Sequence, residues 1–158
     1  MQSISGKKVC PSGEQITNGG FETGDLTGFT TTGTVVISSW SPHTGTYDCL
    51  LDDYPSLPSI EQDILAIKGY SISVKCISSM TLWARLDTGN GDFTVLITYS
   101  DGSTTTIPLN TILLTYEQFD LLPYLDTSKS VSKINISLPA TGMSFKIFFD
   151  DISLIGKG

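Results

Sequence analysis

The chain is predicted to be all-β, a two-sheet antiparallel β-sandwich, and three observations carry that expectation. Apolar and polar residues alternate with period two in at least five segments, as strands with one buried face require. These segments are short and are separated by Gly, Pro, Asn-Gly or Asp-Gly, residues that favour tight turns. Serine and threonine number 20 each while 16% of residues are charged, a composition that suits exposed strand faces. At 158 residues the chain has the length for one domain with a two-sheet core.

In chain order, residues 1–13 are polar and without period and read as a leader or linker. A single domain is expected over 14–156, with 157–158 as a tail. A short strand at 14–17 leads into Asn18-Gly19-Gly20-Phe21-Glu22-Thr23-Gly24-Asp25-Leu26-Thr27-Gly28-Phe29, which holds four of the 15 glycines. That density of glycine reads as a tightly folded loop, anchored in the core by Phe21 and Phe29. Strands are expected at 29–32 and 34–38, joined by a turn at Gly33, then at 47–52, 60–64 and 69–78. The clearest alternation follows: Met80, Leu82, Ala84 and Leu86 share one face, and Thr81, Trp83, Arg85 and Asp87 the other. Gly89-Asn90-Gly91 turns the chain into 93–99, and Asp101-Gly102 makes a hairpin with 104–108. Segments 116–122, 131–138 and 144–154 complete the strands, and no helix is expected beyond a turn near 124–129. The predicted core comprises Phe21, Tyr70, Ile72, Val74, Leu82, Leu86, Val95, Ile97, Ile134, Ile136, Ile152 and Leu154.

A net charge of −7 and a pI near 4.4 argue against nucleic acid or an anionic membrane as partner. No run of about 18 apolar residues occurs, so membrane insertion is not expected. Cys10, Cys49 and Cys76 show no metal-binding spacing. Cys76 falls in phase with Tyr70, Ile72 and Val74, as a buried side chain would. A Cys10–Cys49 disulfide is a candidate pairing if the protein is exported.

Two motifs point to a family. Asn18-Gly19-Gly20-Phe21-Glu22 with Gly24-Asp25-Leu26-Thr27-Gly28-Phe29, and Phe149-Asp150-Asp151-Ile152-Ser153-Leu154, stand at opposite ends of the domain. Together they resemble the opening and closing signatures of jelly-roll carbohydrate-binding modules of families 4/9, 16 and 22. Gly69-Tyr70-Ser71-Ile72-Ser73-Val74-Lys75 is similar to a strand of the same modules, and Phe29 stands where they usually carry Trp. The resemblance implies a galactose-binding-like jelly roll and a polysaccharide or oligosaccharide partner. It also implies an extracellular or cell-surface setting, with the domain tethered to others of a longer chain.

No enzyme is expected. The chain has one histidine, His43, and no nucleophile-elbow, zinc-protease or phosphate-loop motif. A glycosidase needs two carboxylates about 5 to 10 Å apart across a cleft. Asp52-Asp53 and Asp150-Asp151 are adjacent pairs, which a regular strand points to opposite faces.

For metal, strand parity turns Asp150 inward with Ile152 and Leu154, which is costly without a cation or donors. The resemblance implies a structural calcium held by Glu22 and Asp150, with Asp151 the alternative if a bulge swaps the two.

For sugar, Trp83 is the expected stacking platform, beside Arg85 and Asp87. Gln118 and Asp120 join that face by parity, and Lys75 and Asn135 fit likewise. Trp40 and Tyr54, in proline-containing loops, form the alternative site at the sandwich rim. The expected function is thus a non-catalytic carbohydrate-binding module of an exported multidomain protein, with a structural calcium. The alternative is a structural or adhesive domain of a cell-surface or fibre protein that binds protein.

Overall fold

The computed structural model describes residues 8–158 and is 51% strand and 7% helix. In chain order the strands are β1 (Lys8–Val9), β2 (Ser12–Glu14), β3 (Thr30–Thr32), β4 (Thr34–Ser38), β5 (Asp48–Asp52), β6 (Ser59–Asp63) and β7 (Ser71–Ser73). They continue with β8 (Ile77–Thr88), β9 (Asp92–Tyr99), β10 (Thr104–Asn110), β11 (Glu117–Asp120), β12 (Ser130–Ser137) and β13 (Lys146–Lys157). A helix, α1 (Ile64–Lys68), separates β6 from β7, and 3-10 turns occupy Val74–Cys76 and Leu122–Tyr124.

Two strands organise the sandwich. In the first sheet β12 pairs with β9, which pairs in turn with β10; β12 also pairs with β6 and β7, beyond which lie β3 and β1. In the second sheet β13 pairs with β8, β5 and β2, with β11 flanking β8 and β4 flanking β5. Both sheets are antiparallel apart from β1, which runs parallel to β7.

The inner faces follow the alternation. Met80, Leu82 and Ala84 of β8 are fully buried, as are Val95 and Ile97 of β9 and Ile147 and Phe149 of β13. Phe93 of the first sheet meets Phe119 and Phe149 of the second edge-on, with ring centroids 5.2 and 5.1 Å apart. Such pairs add about 0.5–1.5 kcal/mol to the burial of their area. The expected core residues are buried apart from Tyr70 and Leu86, which pack partly buried against its margin. Tyr70 sits there because its hydroxyl donates to Gln15 Oε1 at 2.7 Å.

Several local expectations change. Residues 8–13, expected in a leader, belong to the sandwich: Lys8 and Val9 pair with Ser71 and Ile72, and Ser12 and Gly13 with Lys157 and Gly156. Lys157 is therefore strand and not tail, while residues 1–7 lie outside the described residues. Cys10 is disulfide-bonded to Cys76, with Cα atoms 5.1 Å apart, which excludes a Cys10–Cys49 pairing. Cys49 is a free thiol buried in the core, its pKa raised first by burial and then by Asp48 and Asp150.

The segments around Gly33 go to different sheets, because Gly33 (φ 66°) turns the chain against the Leu57 backbone, where a Cβ would not fit. The 69–78 segment is likewise split, leaving the first sheet at Ser73 and entering the second at Ile77 through a 3-10 turn. Helix α1 is a single short stretch in which no period can show. Asp63 caps it by accepting the Ala66 N–H at 3.0 Å, and Gly69 closes it at φ 83°.

The disulfide spans 66 residues, so in the loop-entropy account it stabilises the fold by about 4 kcal/mol. Urea unfolding with reductant, or of Cys10→Ser or Cys76→Ser, is expected to show a loss approaching that size, and the double variant no further loss. Cys49→Ser is expected to keep its response to reductant.

Candidate functional site

The outer face of the second sheet brings most of the predicted residues together. Trp83 lies in register with Gln118 on one side and Asp150 on the other. Arg85 lies opposite Phe148, Phe148 opposite Leu50, and Leu50 opposite Val36. Since Leu82 and Ala84 face the core, these neighbours all point away from it.

Trp83 is outward, as parity requires, but it is not bare. The 39–47 connection between β4 and β5 folds back across the sheet and lays the His43 ring on the indole, with centroids 3.8 Å apart and planes at 19°. His43 Nδ1 is 2.7 Å from Asp151 Oδ2. Tyr116 lies beside His43, its ring centroid 5.6 Å away, and its hydroxyl donates to Asp48 Oδ2 at 2.7 Å. Burial, followed by that hydrogen bond, pushes the Tyr116 pKa up. The Arg85 guanidinium sits 3.9 Å from the Phe148 ring centre and 5.5 Å from that of Tyr116. Trp40 rests edge-on against Phe148 at 6.4 Å and remains 78% exposed.

Three carboxylates hold the covering segment. Glu22 accepts the N–H groups of Thr46 and Tyr47 at 2.8 and 2.9 Å. Asp150 Oδ2 accepts those of His43 and Thr44 at 2.9 and 3.3 Å, and Asp151 accepts the Thr44 hydroxyl at 2.7 Å. Gly45 is required where it stands: its φ is 66°, and a Cβ there would run into the Glu22 carboxylate.

The two adjacent aspartates serve the same loop because β13 is bulged. Asp151 adopts φ 49°, and the register with β8 shifts between Asp150 and Ser153. The bulge corrects the parity argument: Asp150 pairs with outward Trp83, while Ile152 and Leu154 still reach the core. Asp150 is therefore buried beneath the loop instead of in the core. Burial, with Asp151 next in weight, raises its pKa to about 7, against the pull of the N–H groups of Thr44, Asp151 and His43.

Among the described residues, three buried side-chain polar atoms have no partner: Arg85 Nε, Arg85 Nη2 and Asp48 Oδ1. All belong to side chains in contact with Tyr116, and each such group costs about 1–3 kcal/mol if it stays unmatched.

Other predicted residues fall differently. Asp87 is half-buried beyond Arg85 and accepts the Thr88 hydroxyl at 3.0 Å. Gln118 and Asp120 are exposed on β11, where Asp120 also accepts the Leu122 N–H at 3.1 Å. Lys75 lies in the 3-10 turn before β8, and Trp83 stands six residues beyond Ile77, about 20 Å along the strand. Lys75 is thus not part of the Trp83 face, and Asn135 belongs to the first sheet. Trp40 and Tyr54 follow opposite ends of the β4–β5 pair, separated by roughly 14 Å of strand. They do not make one rim site.

The oxygen donors here are of the type calcium takes. As placed, however, Glu22 and Asp150 give each carboxylate oxygen to an N–H group. No three His, Cys, Asp or Glu side chains among the described residues group as a metal site. The loop N–H groups stand where an ion would supply positive charge.

A raised carboxyl pKa has a definite sign in stability. Folded Asp150 titrates near 7 and unfolded Asp150 near 3.8, so the folded state binds more protons between them. Its contribution is full below about pH 4 and is lost as pH rises towards 7. Urea unfolding across pH 4–7 is expected to show the protein losing stability relative to Asp150→Asn as pH rises. Parallel curves would refute the assignment.

No family model matches the chain, and no curated protein sequence does. Solved structures do. TmCBM61 in complex with β-1,4-galactotriose is 16% identical with a TM-score of 0.61, covering 90% of this chain and 98% of its own. A family 16 carbohydrate-binding module is 15% identical with a TM-score of 0.62, covering 89% and 99%. A family 11 module from Clostridium thermocellum, in complex with a β-1,3-1,4-mixed-linked tetrasaccharide, is 12% identical with a TM-score of 0.56, covering 92% and 97%. At such identities the likeness is one of architecture: the chain has the jelly-roll fold of carbohydrate-binding modules.

Proposed function

We propose that the chain is a non-catalytic carbohydrate-binding module that holds a neutral polysaccharide or oligosaccharide on the outer face of the second sheet, with Trp40 as its stacking ring. The exposure of Trp40 carries this reading: 78% of the residue stays open to solvent while its edge rests on Phe148, the ring that also carries Arg85. Sugar sites combine an aromatic ring for the apolar face of a pyranose with planar polar groups for its hydroxyls. Trp83, by contrast, already has a ring stacked on it. The fold likeness to modules solved with neutral oligosaccharides supports the ligand class. Asp48, Asp150 and Asp151 beside the same face favour a neutral sugar over an anionic one.

Titration calorimetry against soluble neutral polysaccharides is expected to give micromolar to millimolar affinity, since stacking and hydrogen bonds must offset the ordering of a flexible chain. Trp40→Ala is expected to abolish that binding without changing the melting temperature, whereas Lys75→Ala and Tyr54→Ala retain it. Full binding by Trp40→Ala would remove the platform from Trp40. Failure to bind any polysaccharide, with the 39–47 connection intact or loosened, would remove the reading itself.

An extracellular or cell-surface setting is part of the proposal, and the Cys10–Cys76 disulfide supports it, because such bonds persist in oxidising compartments. Tethered to other domains of a longer chain, the module would raise their effective concentration at a polysaccharide. Calcium is a separate proposal: an ion at Glu22 and Asp150 would exchange their N–H bonds for metal–oxygen bonds. Chelator is then expected to lower the melting temperature and calcium to restore it. An unchanged melt counts against the ion and leaves sugar binding untouched.

A protein-binding, adhesive role is the second reading. It is favoured by one patch: Ile112, Leu113 and Leu114, between β10 and β11, are 70%, 46% and 71% exposed. Leu114→Asp is the variant that would weaken self-association if this reading holds, measured by sedimentation.

A further inference from the structure

We propose that the 42–47 segment is a plug seated in a second sugar subsite, whose floor is Arg85 and Asp48 and whose walls are Trp83 and Tyr116. The inference rests on the carbohydrate-binding reading and goes beyond it, because it assigns a site that the folded chain fills with its own side chain.

The His43 imidazole lies nearly parallel to the indole of Trp83 at 3.8 Å, which is the placement a pyranose takes on an aromatic face. Beside the His43 ring, around Tyr116, Arg85 Nε and Nη2 and Asp48 Oδ1 are buried and unmatched, although Asp48 is fully buried and its other oxygen is taken by Tyr116. Two adjacent sugar hydroxyls satisfy that set, accepting from the guanidinium and donating to the carboxylate. The polar groups are thus arranged for a visitor and are not served by the plug. The Asp48, Asp150 and Asp151 carboxylates grouped near Arg85 favour a neutral pyranoside over a uronate.

The plug is also built to leave. It belongs to no strand, and it is held by Glu22, Asp150 and Asp151 through its own N–H groups and the side chains of His43 and Thr44. Lifting it breaks no sheet pairing, and water can take over the N–H groups it frees. Residues 44–46 are already exposed.

An array of neutral and uronic-acid oligosaccharides, with affinities then measured by calorimetry, tests this. His43→Ala is expected to bind neutral oligosaccharides at least about tenfold more tightly than the wild type, a gain of 1.4 kcal/mol per decade. Trp83→Ala or Arg85→Met in the His43→Ala background is expected to remove that gain. Thr44→Val, which loosens the plug without removing the ring, gives a smaller gain of the same sign and serves if His43→Ala fails to fold. In a Trp40→Phe background, acrylamide quenching of Trp83 is expected to rise with His43→Ala and to fall again on adding oligosaccharide. Unchanged affinity and unchanged quenching in both plug variants overturn the plug, while wild-type binding lost in Trp40→Ala leaves the carbohydrate reading standing. Binding by the plug variants alone supports the subsite and removes Trp40 as the platform. No binding by the wild type or any variant overturns the carbohydrate reading and the subsite with it.

Discussion

The bulge at Asp151 is the constraint on which the candidate face depends. A regular strand would send Asp150 and Asp151 to opposite faces, and one of them into an apolar core. With Asp151 at φ 49°, both carboxylates turn to the 39–47 connection, and the chain regains its phase in time for Ile152 and Leu154 to fill the core. The bulge is in turn fixed against the glycine loop: Gly19 accepts the Ile152 N–H at 3.0 Å, and a side chain at Gly19 would collide with the Ile152 carbonyl. Two motifs far apart in sequence therefore make one structural unit. Glu22 from the first and the aspartate pair from the second grip the same short segment.

That unit explains which parts of the face were legible in the amino-acid sequence. Alternation is a local property, so 80–87 shows that Trp83 and Arg85 point outward, and the structure agrees. What lies on top of an outward residue is not local. His43 precedes Trp83 by 40 positions and reaches it through a loop of no periodicity, held by side chains more than 100 residues away in sequence. The lone histidine of the chain, set between Pro42 and Gly45, was the one available signal. Asp48 was hidden for a related reason: its hydrogen-bond partner, Tyr116, comes from 68 positions along the chain.

The cysteines and Lys75 illustrate a different limit. Phase along 70–76 describes one extended strand, and in that geometry Cys76 faces the core while Lys75 joins an outer face. The chain instead crosses between sheets at Val74–Cys76: Cys76 stays buried and Lys75 exposed, as the phase requires, but the 3-10 turn sets them outside the strand to which the phase assigns them. Cys76 is carried to Cys10, and Lys75 to a corner remote from the tryptophan. Strand positions were legible even across some crossings, as at 34–38, while the unexpected helix at 64–68 lies between two strands of one sheet. Function is still less legible from architecture, because one jelly roll serves many ligands and the site, not the fold, decides.

The pairing of β2 with the end of β13 has a mechanical consequence. Ser12 lies opposite Lys157 and Gly158 donates to Pro11, so the last residues of the chain lie side by side with the stretch that follows β1. Tension applied between such stretches would unzip an antiparallel pair one hydrogen bond at a time, the weak direction for a sheet. Here a load arriving from the N-terminal side meets the two-residue β1 pairing and then Cys10, from which it passes through sulfur to Cys76, bypassing β2. Force then enters the second sheet at the start of β8, alongside the strand that carries it out, with a covalent bond in place of the outermost rung.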